Sequence, residues 1–306
     1  MIAYVARRVA QSVVALLGIS LIVFVALHLT GDPAAAMLRG GNPTRADVLA
    51  MRRQLGLDQS LPVQYLTYLD HALHGDFGTS YYYQLPALQL VLHHLPATLL
   101  LTASGMVVSL LIAFPLGVLS ATRRNSLIDV LARVFALLGV SFPNFWLGIM
   151  LILIFAVRLN WLPPSGYGSV QYLIMPAFTL GMILAGITTR LIRSSVLEVL
   201  REDYVRTARA KGLPRGRILR KHVVRNALLP VVTYIGLQFG TLLGGAVIIE
   251  QVFSWPGVGQ LVLTAVNQDD FPVVQASVLV LAALLILVNL VVDLSYVFID
   301  PRIQYR

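Results

Sequence analysis

The chain of 306 residues contains no cysteine. That excludes disulfide staples, thiolate metal sites and thiol catalysis, and leaves the redox compartment open. Charge is scarce too: Asp, Glu, Lys and Arg make up 12% of the residues, against 57% hydrophobic. A soluble domain of this length has no use for so much apolar surface, so the composition points to a polytopic membrane protein. Lysine occurs only at Lys211 and Lys221, and neither follows a glycine. The Gly-x-x-x-x-Gly-Lys-Ser/Thr loop that cradles nucleotide phosphates is therefore absent, and ATP cannot be bound that way. No internal repeat and no low-complexity tract stands out.

What is present is a series of apolar runs: Val9–Leu29, Thr98–Ala121, Val134–Val157, Tyr172–Thr189, Ala227–Ile249 and Val273–Val297. A helix needs about 20 residues to cross a hydrocarbon core of roughly 30 Å. No run shows the two-residue alternation of a barrel strand, so six transmembrane helices are expected. The first run follows Arg7-Arg8 and exceeds the roughly 7–15 apolar residues of a signal peptide, so it reads as a retained helix. Cleavage after the Ala34-Ala-Ala36 run is the alternative. Polar residues inside the runs are few, and include Ser104, Ser109, Asn144, Gln238, Asn289 and Asp293. An intramembrane carboxylate is a functional candidate by default. Asp293 lies near the end of its run, where a structural partner in the bundle is the expectation.

The loops carry the orientation. Arg7 and Arg8 precede the first run, Arg123, Arg124 and Arg133 sit around the second loop, and Arg302 and Arg306 close the chain. Between Arg190 and Arg225 lie 11 of the 23 Lys and Arg residues. The third loop has Arg158 and the fifth has neither Lys nor Arg. The positive-inside rule then places both termini in the cytoplasm, and it accounts for the net charge of +9 without nucleic acid. Residues 30–97 form a long loop on the opposite side. In it Asn42-Pro-Thr-Arg-Ala-Asp47 reads as a capped helix start, Leu61–Leu73 as an amphipathic helix opened by Pro62, Gly75–Ser80 as a turn and Leu85–Leu95 as a third helical stretch. His71 and His74 beside Asp70 and Asp76, and the pair His93-His94, have a spacing that could place two metal ligands on one face. Histidines on a water-facing helix are the expected reading, and His28 reads as a packing or interfacial residue.

Two further segments break the pattern of plain spans. Ser141-Phe-Pro-Asn-Phe-Trp146 puts Pro143 inside the third run, where it removes a backbone donor and bends the helix. Gly244–Gly259, with Glu250 and Trp255, is too apolar for a free loop and too broken for a span. It reads as a short re-entrant or interfacial segment with Trp255 at headgroup level.

The basic segment is the most informative. Leu197, Leu200, Tyr204 and Ala208 recur at helical spacing, and Gly212 and Pro214 stop the helix. Residues 215–224 can form a second one. Small residues at Ala208, Ala210 and Gly212 would let another protein approach closely. Three readings apply: ordinary positive-inside charge, a DNA-binding helix-turn-helix, and a docking helix pair for a cytoplasmic subunit. Tethering to the bilayer at both ends disfavours the second, and the ordered pattern favours the third.

Asp203-Tyr-Val-Arg-Thr-Ala-Arg-Ala-Lys-Gly212 followed by Arg225-Asn-Ala-Leu-Leu-Pro230 resembles the EAA-type loop of membrane subunits of bacterial binding-protein-dependent ABC importers. Of the generic Glu-Ala-Ala-x-x-x-Gly pattern only Ala208 and Gly212 match outright, with Arg206 and Thr207 in the other two places. That departure, and the long gap to Pro230, resemble the dipeptide/oligopeptide/nickel branch. So do Tyr4-Val-Ala-Arg-Arg8, Gly31-Asp-Pro33, Leu55-Gly-Leu-Asp58, Gly75-Asp-Phe-Gly78, Pro96-Ala-Thr98, Gly139-Val-Ser-Phe-Pro143, Trp161-Leu-Pro163, Glu250-Gln-Val-Phe-Ser-Trp-Pro-Gly257, Asp270-Phe-Pro272 and Asp300-Pro-Arg302.

The resemblance implies an all-α permease of the type I importer fold, one membrane domain over residues 1–306. Residues 30–97 would be its extracytoplasmic loop and 190–226 its cytoplasmic coupling loop. It implies a bacterial inner-membrane location and four partners besides the bilayer: a second homologous permease, two ATPase subunits and a solute-binding protein. ATP and Mg would be bound by the ATPase subunits, with no cofactor and no catalysis in this chain. Small peptides, including glutathione, are the expected cargo. Nickel or a metal chelate is the alternative. An ion-coupled secondary transporter would need intramembrane ionisable groups that the spans hardly offer. A membrane scaffold without a pore is a further reading. The coupling residues would be Val205, Arg206, Thr207, Ala208, Arg209, Ala210, Lys211, Gly212, Leu213, Pro214 and Arg215. The translocation path and gate would use Ser141, Phe142, Pro143, Asn144, Gln238, Thr241, Glu250 and Trp255. Broken backbone and amide groups are costly against lipid but acceptable beside a cavity, and a plug near Phe142 could seal by dewetting. The same polar residues could instead bind helix to helix.

Overall fold

The computed structural model describes residues 2–38 and 44–299, with the backbone alone at 2–5, 30, 229 and 293–299. Arg39, Asn42, the side chain of Asp293, and the closing Asp300, Arg302 and Arg306 lie outside the described residues. In chain order the helices are α1 Ile2–Thr30, α2 Pro33–Met37, α3 Arg45–Gln54, α4 Leu61–Leu73, α5 Ala87–Thr122, α6 Leu127–Ser141, α7 Asn144–Leu151, α8 Val170–Val199 and α9 Asp203–Ala210. Then follow α10 Arg215–Arg217, α11 Arg225–Ala227, α12 Leu229–Phe253, α13 Val258–Asn267 and α14 Phe271–Ile299. Two stretches, Ile152–Arg158 and Ile218–Val224, widen to π geometry. Among the described residues strand pairing is limited to an isolated bridge between Thr79 and Pro86.

Five helices are long and apolar enough to cross a membrane, and six spans result if the bent pair α6 and α7 counts as one. That pair departs from the single third run expected over 134–157: Leu127–Ser141 and Asn144–Arg158 meet at 103°. The break is a proline effect. Phe142, preceding Pro143, takes an extended backbone (φ −85°, ψ 133°), as the proline ring demands of its neighbour. The third stretch of the long loop, expected over Leu85–Leu95 and feeding the second span, begins at Ala87 and runs on without a break as the 36-residue α5. Gly244–Gly259 is also corrected. Its first ten residues complete α12, and the break comes at Ser254, whose left-handed backbone (φ 48°) ends the helix. The short apolar helix beyond it is α13.

The chain forms two compact units. The first takes in the chain up to Thr98 and Pro256–Leu290, the second Leu99–Trp255 and the segment from Val291. In the first, Ala87, Leu90 and Val91 pack with Val258, Leu261 and Ala265 of α13 and with Val273, Val274 and Ala276 of α14. The Thr98 hydroxyl accepts from the Val258 N–H at 2.8 Å, satisfying a free donor in the first turn of α13. The 75–86 loop is tied to the start of α14, because buried Asp270 accepts from the Ser80 hydroxyl and the Tyr82 N–H. In the long loop, Thr44 caps α3. Its hydroxyl accepts from the Asp47 N–H while the Asp47 carboxylate accepts from Thr44, a reciprocal box at the capped helix start expected over 42–47.

In the second unit α8 is the central element, with buried residues recurring from Met175 to Val196. Glycine lets its neighbours come close. A Cβ on Gly186 would lie 2.6 Å from the Ala136 carbonyl oxygen of α6, and one on Gly139 would lie 3.1 Å from the Met182 oxygen of α8. Such small-residue seams are the normal means of packing membrane helices, where dispersion between close backbones replaces the hydrophobic effect.

Candidate functional site

The basic segment folds back on its own chain. After α8 the chain turns through Leu200–Glu202 and enters α9, so the continuous helix expected over 197–211 is broken. Val205 and Ala208 are buried in a core with Ala113 and Ala121 of α5, Ile192 and Val196 of α8, and Ile218, Val223, Ala227 and Val231 beyond. Ala208 thus packs into the chain's own core. Tyr204 does not share that buried face. It is exposed along its ring, and its hydroxyl accepts from the Asn226 amide at 2.9 Å. The same amide donates to the His222 carbonyl at 3.0 Å, so Asn226 ties α9 to the following segment. Arg206, Thr207, Arg209, Ala210, Lys211, Gly212, Pro214 and Arg215 are exposed, and Leu213 is half-buried. Gly212 ends the helix with φ +73°, the left-handed cap at which glycine avoids the Cβ penalty. The result is a short, rigidly backed helix presenting a basic face.

The bend between α6 and α7 gathers four of the candidate path residues. Ser141, Phe142 and Pro143 are exposed on the isolated chain and Asn144 is half-buried. The Ser141 hydroxyl donates to the Leu137 carbonyl at 2.8 Å. The Phe142 ring stacks on Trp146 with centroids 4.9 Å apart. The Asn144 side-chain oxygen is buried with no hydrogen-bond partner among the described residues. Gln238 lies on α12, its amide donating to the Tyr234 hydroxyl while its oxygen accepts from Thr241 at 3.1 Å. Tyr234, Gln238 and Thr241 therefore form one polar string along a single helix. Glu250 and Trp255 lie apart from this string. Both are fully buried, and Trp255 packs edge-on against Tyr167 at 4.8 Å. Trp255 is thus a core residue of the second unit and not an exposed headgroup anchor, because the loop carrying Tyr167 covers it.

One polar cluster was missed in the sequence. Asp129, fully buried in the first turn of α6, accepts from Arg193 of α8 through both carboxylate oxygens, at 2.8 and 3.0 Å. It also accepts from the Ser120 hydroxyl of α5 at 2.6 Å and the Asn125 N–H at 3.0 Å. Asp129 falls just outside the apolar run expected at 134–157, and Arg193 was counted among the basic residues of a loop. The signal that could have found them is a lone acid opening an apolar helix opposite a lone arginine still at helical period.

The histidines are accounted for locally. His28 bonds the Phe24 carbonyl at 2.8 Å and the Gln64 side-chain oxygen at 3.0 Å. His71 faces Asp76 at 3.6 Å, and His74 bonds the Asp70 carbonyl at 2.7 Å. Among the described residues no three His, Cys, Asp or Glu side chains converge as a metal site would require. A cavity of about 500 Å³ opens in the first unit, bordered by His28, Gln64, Tyr68, His71 and Tyr81. Burial, reinforced by the Asp270 carboxylate, pushes the Tyr81 phenol up to about 12, so it stays neutral.

The helical arrangement is that of ABC importer permeases. The chain is similar to a chain in an inward-facing structure of the MetNI methionine ABC transporter, with a TM-score of 0.55 at 20% identity over 69% of this chain and 97% of that one. It is similar also to an amino acid ABC transporter with histidines, with a TM-score of 0.53 at 14% identity over 70% of this chain and 94% of that one. Residues 113–305 match the family described as binding-protein-dependent transport system inner membrane component. Residues 1–102 match the N-terminal part of such membrane components. The chain belongs to this family and is a multi-pass inner-membrane permease subunit, in the peptide/nickel branch. Relatives include the glutathione transport system permease protein GsiC of Salmonella typhimurium, 45% identical, and that of Escherichia coli, 43% identical, each over the whole of both chains.

Proposed function

We propose that this permease forms half of the path for glutathione-like small peptides in an ATP-driven importer. Residues 1–306 would act as one permease domain. The observation that supports the cargo is identity of 45% along the entire length to a glutathione transport system permease. The other half of the path would come from a second, homologous permease. Two ATPase subunits bind ATP and Mg, and this chain contributes no catalysis. A solute-binding protein delivers substrate to the side carrying residues 30–97, while both termini and residues 190–226 face the cytoplasm. The positive-inside asymmetry of the loops supports that orientation.

In this reading the exposed face of Arg206 to Arg215 seats in the ATPase subunits. Closure of those subunits on ATP displaces α9, and the bundle opens outward. The bend at Phe142–Asn144 and the string Tyr234–Gln238–Thr241 border the path. A path that must release what it admits suits amide and hydroxyl groups better than fixed charges.

Reconstitution tests it. The chain with its partner permease, ATPase and binding protein should take up labelled glutathione into proteoliposomes only when ATP is present. Dipeptides, tripeptides and a nickel chelate are the competing cargoes. Uptake of the chelate but not of glutathione would replace the substrate assignment, and ATP-independent uptake driven by an ion gradient would replace the transporter class.

A further inference from the structure

We propose that the Asp129–Arg193 pair is the joint through which the docking helix moves the bent helix α6, making both residues positioning residues of the transport cycle. This rests on the importer reading above. The geometry gives three links. First, α9 is not a loose loop: Val205 and Ala208 share one core with Ala121 of α5 and with Ile192 and Val196 of α8. A push on α9 therefore reaches the ends of α5 and α8 through that shared core. Second, α6 leads straight into the bend before α7, and its start is joined to α5 and α8. At that end α6 is held by Asp129, which is fully buried and bound by the two-pronged Arg193 guanidinium and the Ser120 hydroxyl. The Arg193 Nε–H is also shared with Ser120 Oγ at 3.0 Å, so one cluster pins three helices. Arg133 adds a looser contact at 3.6 Å. Third, the far half of α6 is held against α8 by the Gly186–Ala136 and Gly139–Met182 approaches. Beyond these comes the break at Phe142.

The pair is suited to this task and poorly suited to mere stability. A buried ion pair gains little over well-packed apolar groups of the same volume, because desolvation offsets the attraction. What it adds is direction. A bidentate guanidinium–carboxylate contact tolerates little sliding or rotation, whereas apolar side chains slip past one another. The α6–α8 joint nearest the docking helix is therefore its stiffest. From Asp129 to Ser141 the helix runs on the order of 18 Å, a lever arm ending at the candidate gate.

The test uses the complete transporter in proteoliposomes. Asp129→Asn, Arg193→Lys and the exchanged pair Asp129→Arg/Arg193→Asp are compared with the parent for ATP hydrolysis stimulated by the binding protein and for substrate imported per ATP. In Asp129→Asn, hydrolysis should persist while import per ATP falls at least about fivefold, with partial recovery in the exchanged pair. Unchanged import per ATP, including the case in which hydrolysis and import fall together with the amount of assembled complex, would overturn the proposal. A second measurement does not depend on the variants folding. Spin labels on cysteines replacing Val134 of α6 and Thr207 of α9, in a complex otherwise free of cysteine, report their separation with and without ATP. An unchanged separation while the transporter cycles is expected, and a changed one in the parent transporter overturns the joint. Failure of the parent to import with ATP would instead overturn the importer reading.

Discussion

Gly181 of α8 faces the Gly105 carbonyl of α5 so closely that a Cβ on it would lie 2.4 Å from that oxygen. Nothing there can yield, since both partners are backbone inside helices. Gly181→Ala should therefore force the two helices apart and destabilise the chain by about 1–3 kcal/mol. Gly244 of α12 is the control, because its Cβ would meet nothing within 4 Å. Gly244→Ala should be neutral in the isolated chain, or gain up to about 1 kcal/mol of helix preference. Thermal unfolding of the two purified variants in detergent checks the contrast, and equal midpoints would contradict it.

The docking surface separates two alanines only two residues apart. Ala208 is in the chain's own core and Ala210 is exposed. Ala208→Trp should overfill the core and reduce the yield of folded permease. Ala210→Trp should leave the permease folded but weaken its capture of the ATPase subunits at least tenfold, about 1.4 kcal/mol. Co-purification of the complex measures the second effect and the yield of monodisperse permease the first. Full assembly with Ala210→Trp would remove α9 from the ATPase interface.

How far the sequence reveals these features depends on the range of the interaction behind them. Composition and run length suffice for the spans, since membrane crossing is set by local apolarity. The Thr44–Asp47 box and the Gly212 stop are legible because capping acts within a few residues. The bend at Pro143 is legible as a position but not as 103°, because the angle depends on how α7 seats against Phe253 of α12 through Gly148. The end of α12 lies four residues beyond the run expected to Ile249, because the helix continues through Glu250 and Gln251 to the left-handed Ser254. The docking helix is legible as a basic surface but not in its register. Which of Tyr204 and Val205 turns inward is decided by Ile218 and Val223, more than ten residues away. The Asp129–Arg193 pair joins residues 64 apart, and no pattern within one helix announces it.

The orientation has a direct check in the cysteine-free background. Ser60→Cys and Ala210→Cys place single thiols at exposed positions on the two loops. In intact cells an impermeant maleimide should label position 60 and spare position 210 until the membrane is permeabilised. The reverse pattern would invert the topology and move the docking helix away from the ATPases.

The bend itself gives the final prediction. Phe142 stacks on Trp146 beside a break in the backbone, and the Asn144 oxygen next to it is buried with no partner among the described residues. A buried acceptor left unpaired costs about 1–3 kcal/mol, so it persists where something else supplies the donor or where the cost serves a purpose. Beside a path, a passing peptide N–H or a water molecule is that donor, whereas between packed helices a partner side chain would be. The two roles respond differently to Asn144→Leu. If Asn144 borders the path, the variant keeps its folded yield but loses affinity for cargo in transit, raising the apparent KM for import about tenfold, or 1.4 kcal/mol. If Asn144 joins the two permeases, assembly falls and the KM of the surviving complexes is unchanged. Phe142→Ala probes the seal next to it. Removing the ring from a narrow apolar constriction lets water in, so preloaded glutathione should leak from proteoliposomes without ATP. Tight vesicles with Phe142→Ala, together with a normal KM in Asn144→Leu, would place the gate elsewhere in the bundle.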